Sequence, residues 1–311
     1  MSEARFDVVS LGEPMVEFNQ VPGDGRRYLQ GFGGDTMNAL LAAVRQGARA
    51  AYVTRIGDDT FGRMLLDLWR EEGLDATHVG IDPAAPTAVY FVTHGPSGHE
   101  FSYRRAGSAA SRMRPQDVPL DLIRSTRVFH TSGISQAISD SACDAVFAAI
   151  DAAAAVGVPL AYDSNLRLKL WPLARARAII NATAARAEYF LPSLEDARDL
   201  SGLVAPEAIL DWALALGARH VALKLGPEGV LASDGKRVDR IPGHRVDCVD
   251  ATGAGDCFAG SFMARIARGD DFWSALRYAN AAAALTCTGY GAVAPIPRPE
   301  AVHALLERTR D

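Results

Sequence analysis

The sequence predicts an α/β fold in which a mostly parallel sheet is covered by helices on both faces. Three observations predict it. Short apolar segments alternate with amphipathic helical ones along most of the chain, the pattern of strands buried on both sides. The 311 residues contain no Pro/Gly/Ser-rich linker, no internal repeat and no block of like charge, so residues 1–311 read as one domain with a sizeable core. The rhythm breaks in two places, within 13–34 and 86–112, where strands run together without helices and form a small projecting lid.

In order along the chain, RFDVVSLG reads as a buried strand. DTMNALLAAVRQGA follows as a helix with Met37, Leu40, Leu41 and Val44 on one stripe, Asp35 as N-cap and Gly47 as stop. AAYVTRIG is a strand and TFGRMLLDLWREEG a helix. RVFHTSG precedes the helix SDSACDAVFAAIDAAAAVG, and VPLAYDS precedes the helix LARARAIINATAARA. EYFLPS, HVALKLG and GVLASDG add further strands. In the lid, TAVYFVTHGPSGHEFSYRRAGS reads as a hairpin around Gly-Pro-Ser-Gly. That loop pairs His94 with His99, sets Tyr90 opposite Tyr103, and puts Tyr90, Tyr103 and Arg105 on one face. Such a face is either ordinary cross-strand aromatic packing or a wall for an anionic ligand, since the arginine fork suits a carboxylate.

Composition excludes several functions. The net charge of −5 argues against nucleic-acid and membrane-surface binding, which need a basic patch. No stretch approaches the ~20 apolar residues of a membrane span, and the first residues lack a signal peptide's apolar run. The four cysteines form no C-x-x-C pair and the seven histidines no H-E-x-x-H spacing. A soluble cytoplasmic enzyme is the expectation.

The segment DATGAGD, residues 250–256, carries the chemistry. It is no Rossmann fingerprint, because Phe258 stands where the third glycine belongs. It is no Walker A loop either, because Ser261 occupies the lysine position. Gly253, Ala254 and Gly255 are small enough for a ligand to approach the backbone. A helix beginning near Asp256, with Phe258, Phe262 and Ile266 on its apolar stripe, would aim unpaired N–H groups at that ligand. A carboxylate beside an anion hole suits phosphoryl transfer, where one group deprotonates a hydroxyl and the other neutralises the moving group. The alternative is that Asp256 only caps its helix.

This turn resembles the C-terminal signature of the ribokinase-like (PfkB) carbohydrate kinases. GFGGDTMNALLAAVRQGA and LKLGPEGV resemble that family's other two motifs, in the same order and spacing, so the resemblance covers essentially the whole chain. It implies the ribokinase-like three-layer α/β/α fold with a β-strand lid that often serves as a dimer contact. It implies Asp256 as catalytic base and the backbone of Gly253, Ala254 and Gly255 as anion hole. Gly34 and Asn38 would contact substrate hydroxyls. Ser193, Lys224, Gly226 and Gly229 would lie along ATP, with Asn280 near the adenine. Glu195 keeps the acid linked to Mg²⁺, although Ser193 in PSLED replaces the family's usual asparagine. Asp250 stands where some relatives hold a monovalent cation such as K⁺.

Within the family, LGEPMVEF, GGDTMN, FSYRRAGSAAS, SGISQAIS and DSNLRLKLW resemble the 2-keto-3-deoxygluconate kinases. That resemblance implies substrate contacts from Tyr90, Tyr103, Arg105 and Arg167, and a sugar acid with ATP as the small-molecule partners. Two arginines without an anion would be costly to bury, which points the same way, unless Arg167 belongs to a solvated loop. The rivals are a neutral-sugar kinase of the fructokinase or ribokinase type and a non-catalytic sensor that kept the fold.

Overall fold

The computed structural model describes residues 4–21, 23–95 and 98–309. Its thirteen strands in those residues are β1 (Phe6–Leu11), β2 (Met15–Gln20), β3 (Tyr28–Gly33), β4 (Ala50–Gly57), β5 (Val79–Asp82), β6 (Val89–Gly95) and β7 (Gly98–Arg104), then β8 (Thr126–Ser132), β9 (Leu160–Asp163), β10 (Tyr189–Phe190), β11 (His220–Lys224), β12 (Gly229–Ser233) and β13 (Val238–Pro242). The helices are α1 (Asp35–Arg45), α2 (Thr60–Glu72), α3 (Leu120–Arg124), α4 (Gly133–Ala137), α5 (Asp140–Ala154) and α6 (Leu173–Ala184). They continue with α7 (Leu194–Ser201), α8 (Pro206–Leu216), α9 (Ala254–Ala267), α10 (Phe272–Thr286) and α11 (Pro299–Arg308).

Nine strands form the central sheet in the order β13-β12-β11-β10-β9-β8-β1-β4-β5. All neighbours from β11 to β5 are parallel, and only β12 and β13 run antiparallel. Alternation along the strands divides two cores. Val8, Tyr52, Val128, Ala161 and Ala222 face α1, α2, α9, α10 and α11. Val9, Val53, Phe129, Tyr162 and Val221 face α3, α5, α6, α7 and α8. Successive residues of one strand point to opposite faces, so each central strand feeds both cores and is buried along most of its length. This is the expected three-layer α/β/α architecture.

Both breaks in the rhythm are the strands of a second sheet, ordered β3-β2-β6-β7. Its pairing is mixed: β2 runs antiparallel to β3 but parallel to β6. The β6–β7 hairpin has the expected register, with Tyr90 opposite Tyr103 and His94 opposite His99. Gly95 and Gly98 also pair, and Pro96 and Ser97 of the expected turn lie outside the described residues. β3 and several helices, α8, α10 and α11 among them, went unread in the sequence.

Helix starts follow local chemistry, with one correction. Asp59, Ser139 and Ser193 each accept a hydrogen bond from a first-turn amide. Asp35, however, is the first helical residue of α1 rather than its cap; Gly34, at φ 115°, is the N-cap and offers no side chain. Asp35 is thereby released for other work. The expected stop is at its place, since Gly47 donates to Val44 O at 2.7 Å just past the end of α1.

Gly260 lets α9 lie against α1. A Cβ at this position would stand 1.9 Å from Ala39 O and 2.7 Å from Ala42 Cβ. Alanine in a helix gains about 1 kcal/mol over glycine, but overpacking a tight contact costs about 1–3 kcal/mol, and here the obstacle is a backbone atom. Gly260→Ala should therefore lower the midpoint of denaturant unfolding despite the better helix former. An unchanged or raised midpoint would mean that α1 and α9 can separate freely.

Candidate active site

The site forms at the carboxyl ends of β1, β8, β9 and β11, where open α/β sheets hold ligands. Two helices, α1 and α9, begin there and run away side by side, so both positive helix ends point at one place. α9 starts at Ala254 with Gly253 as its N-cap at φ 77°. This is a left-handed conformation, and a Cβ there would also meet Ala292 O at 2.8 Å. The Ala254 amide closes the turn onto Ala251 O at 3.2 Å. The amides of Gly255 and Asp256, in the first turn of the helix, have no acceptor within it. An anion arriving here would find the Gly255 and Asp256 amides unengaged by the helix, whereas the Ala254 amide already bonds Ala251 O.

Asp256 does not cap α9, as no side chain caps that helix. Its Oδ2 instead accepts from Asn38 Nδ2 at 2.8 Å, across from α1. The capping alternative is thereby removed, and the carboxylate turns into the cleft. Asp35 Oδ2 accepts from Asn165 Nδ2 at 2.9 Å. Asp163 Oδ2 accepts from Lys224 Nζ at 2.5 Å. Asp35, Asp163 and Asp256 line one small pocket with His130, Ser132 and Asn165. Three carboxylates thus crowd one pocket, and Lys224 stands beside two of them, Asp163 and Asp256. Burial first, and then the Asp35 charge, push the Asp256 carboxyl up to about 8, with Asn38 and Lys224 opposing the rise. Burial likewise raises Asp35, opposed by hydrogen bonds from Ser132 and the Thr36 amide. Beneath them His130, bonded through Nδ1 to Ser10 Oγ at 2.6 Å, is pushed down to about 4 by burial and stays neutral.

A cavity of about 660 Å³ opens on the other side of Asp256, the size of a small-molecule site. Lys224, Gly226, Gly229, Gly255 and Asn280, all singled out in the sequence, line it, and Phe258 adds an apolar wall. Lys224 Nζ lies 3.4 Å from where a Gly255 Cβ would be, so the ammonium stands over the anion hole. Asn280 already donates from Nδ2 to Pro242 O at 2.8 Å, which leaves its carbonyl oxygen and second N–H for a ligand.

The lid residues are more engaged than the sequence suggested. Tyr90 is buried, stacks on Tyr103 with ring centroids 5.7 Å apart, and donates its hydroxyl to Glu17. Arg105 lies over the Tyr103 ring and is paired with Glu13 at 2.5 Å, both side chains being buried. Arg167 is exposed and donates to Leu166 O at 2.8 Å. Neither guanidinium is buried without a partner, which corrects the desolvation argument for a substrate carboxylate. Arg105 nevertheless lies close enough to lower the Asp35 carboxyl, and Asp256 close enough to raise the Tyr90 hydroxyl, so lid and cleft share one space.

Ser193 is the N-cap of α7, its Oγ accepting from the Asp196 amide at 3.1 Å. Serine and asparagine cap equally well, so the replacement leaves the helix start intact. Glu195 is exposed in the first turn, while Asp196 is turned inward to Ser164 Oγ and the Leu166 amide, each at 2.9 Å. Among the described residues no group of three His, Cys, Asp or Glu could hold a metal ion. A single exposed carboxylate still suits Mg²⁺, which keeps its waters and takes most other ligands from phosphates. Asp250 ties its own loop, accepting from the Thr252 amide at 2.9 Å, Thr252 Oγ1 at 2.6 Å and the Gly291 amide at 3.0 Å.

With that geometry in place, comparison with known proteins decides the family. Residues 5–299 match the model of the pfkB family carbohydrate kinases. The chain belongs to that family. Among curated PfkB-like relatives, a 2-dehydro-3-deoxygluconokinase of Thermoproteus tenax is 36% identical over 98% of this chain and 96% of its own. "Probable fructokinase-4" of Arabidopsis thaliana is 35% identical over 96% of each chain. Among solved structures, a Vibrio cholerae fructokinase with fructose, ADP and calcium ion bound superposes with a TM-score of 0.86 at 27% identity, covering 96% of this chain and 98% of that one. Among the described residues no helix is long and apolar enough to cross a membrane.

Several residues of this carbohydrate-kinase site escaped the sequence reading: Glu13, Glu17, Asp35 as a site acid, Asp163 and Asn165. Asn165 had a signal only in retrospect. Among the described residues it is the one non-glycine at positive φ, 32°, a conformation that tends to mark functional turns.

The raised Asp256 has a stability consequence. Between its ordinary value of 3.8 and about 8, the folded protein keeps a proton that the unfolded chain has released. Stability attributable to this group therefore falls as pH rises through that window. Asp256→Asn should melt higher than the native protein at pH 8, and the two should converge near pH 4. Equal melting temperatures at pH 8 would show that Asp256 is not held protonated.

Proposed function

We propose that the protein transfers the γ-phosphoryl group of ATP to the terminal hydroxyl of 2-keto-3-deoxygluconate. The observation that carries the reading is the position of Asp256. Its carboxylate is held by Asn38 between a nucleotide-sized cavity and the lid, beside two unpaired amides and an ammonium. The acceptor hydroxyl would donate to Asp256, which takes its proton late in a loose transition state. The Gly255 and Asp256 amides and Lys224 would neutralise charge on the transferring group. Gly34 and Asn38 would hold substrate hydroxyls from the α1 side. Bound Mg²⁺, held through water by Glu195, would offset charge between the phosphates.

This assignment has a pH signature. Crowded carboxylates hold Asp256 protonated in the free protein, and a base must be ionised to act. Activity at low substrate should rise with pH toward about 8. The limb in kcat/KM reports Asp256 in the free protein, and the limb in kcat reports it in the substrate complex.

Support for the acid substrate comes from the 36% identical Thermoproteus tenax relative and from Arg105 against the lid tyrosine Tyr103. A second reading, a neutral-sugar kinase, is favoured by the Glu13 carboxylate that already neutralises Arg105 and by fructokinases almost as similar. The deciding experiment follows ADP release with Mg²⁺–ATP and 2-keto-3-deoxygluconate, fructose, ribose or no acceptor. Turnover with the keto acid, reduced about 10²- to 10⁴-fold in Asp256→Asn, is the expected result. Arg105→Ala and Arg167→Ala should raise KM for the keto acid and spare any fructose activity. Turnover with fructose alone would discard the carboxylate reading and keep the kinase. Absence of ADP release with all of them would leave a different acceptor or a sensor, separated by a wider acceptor screen.

We also propose that the lid mediates self-association. Its edge strand β3 leaves Tyr28 37% and Leu29 65% exposed, and an unpaired apolar edge invites a second copy. A monomer by light scattering at micromolar concentration would remove this proposal.

A further inference from the structure

Two cysteines stand together on the wall of the 660 Å³ cavity. Cys248 enters the 250–256 turn and is exposed; Cys287 is the C-cap residue of α10 and half-buried. They belong to different elements, but the backbone ties them. The amides of Val249 and Asp250 both donate to Cys287 O, at 2.7 and 3.2 Å. The first of these bonds bounds the separation of the two α-carbons. Each lies about 2.4 Å from the bonded atom by ordinary covalent geometry, so they cannot be more than about 7.5 Å apart. Disulfides span α-carbon separations of about 4.4–6.8 Å. Both side chains line the same cavity, and the Cys287 thiol is held by a long bond to Ala283 O at 3.4 Å. The remaining cysteines, Cys143 and Cys257, are buried elsewhere.

We propose that Cys248 and Cys287 are a reversible thiol–disulfide pair that closes part of the nucleotide cavity when a peroxide oxidises them. The exposed Cys248 meets the oxidant first. Its thiolate sulfur attacks a peroxide oxygen, the O–O bond breaks, and a sulfenic acid and water result. The Cys287 sulfur then attacks the Cys248 sulfur; the S–S bond forms, the S–O bond breaks, and the departing hydroxide leaves as water with the Cys287 proton. Two thiols supply two electrons, one peroxide accepts them, and two waters form. A dithiol reverses the bond by exchange.

The consequence follows from what the pair is attached to. The Cys287 carbonyl anchors the entry to the anion-hole turn, and the Asp250 carboxylate at that entry binds the Thr252 and Gly291 amides. Drawing Cys248 onto the end of α10 pins this knot and narrows the cavity along the wall these two residues line. This effect on binding rests on the nucleotide reading proposed above; the cross-link itself does not.

The test treats the full-length protein with hydrogen peroxide and reads two quantities. Non-reducing peptide mapping should find a Cys248–Cys287 peptide, about 2 Da lighter than its reduced halves combined, with both other thiols still titratable. Calorimetry with Mg²⁺–ADP should show affinity falling about tenfold or more and recovering with dithiothreitol. Cys287→Ser should show neither the cross-link nor the dithiothreitol-reversible loss. The proposal is overturned if the oxidised protein keeps two free thiols at these positions, if the bond joins other cysteines or two chains, or if cross-linking leaves a reduced-state Mg²⁺–ADP affinity unchanged. Absence of Mg²⁺–ADP binding in the reduced protein would sink the nucleotide reading and with it the regulatory consequence.

Discussion

The crowding of Asp35, Asp163 and Asp256 in one small pocket, with Lys224 beside the last two, is the constraint on which the site depends. Like charges buried together resist ionisation, and the fold does not relieve the strain by separating them. It offsets it with positive ends of two helices, amide donors from Asn38 and Asn165, and the Lys224–Asp163 pair. The result is a base that resists ionisation in the free protein, unlike a carboxylate in open water.

Holding those groups within hydrogen-bond reach requires α1 and α9 to approach closely. The buried run Thr36–Ala43 and the facing Gly260 permit it, since a glycine there meets the Ala39 carbonyl directly. Asn38 can then bridge to Asp256 across the helix interface. Packing far down the helices is therefore what fixes geometry at their N-termini, and the two apolar cores on either face of the sheet keep both helices in register with β1 and β8.

On the lid side the fold has made a different compromise. Arg105 and Tyr90 are pre-organised by Glu13 and Glu17, two buried acids that hold them in place without a ligand. Such partners fix side-chain orientation at the cost of competing with any anion that arrives. A substrate carboxylate would have to share Arg105 with Glu13, whereas a neutral sugar would need only the hydroxyl contacts. That competition is why acid and neutral-sugar readings remain close in physical terms.

Much of the architecture was determined by the sequence alone, because strand and helix periods, helix caps and the hairpin around residues 95–98 are local consequences of residue order. The three-layer fold, the Tyr90–Tyr103 register and the glycine turn before Asp256 are all of this kind. Even the displaced start of α1 was wrong by a single residue, since Gly34 and Asp35 can each open a helix. What tertiary structure decided was partnership. Nothing in the sequence pairs Arg105 with Glu13, Asn38 with Asp256 or Cys248 with Cys287, residues separated by 92, 218 and 39 positions respectively. Those contacts depend on how the lid, the sheet edge and the helix ends converge, and the charge state of each group follows from neighbours that periodicity cannot name.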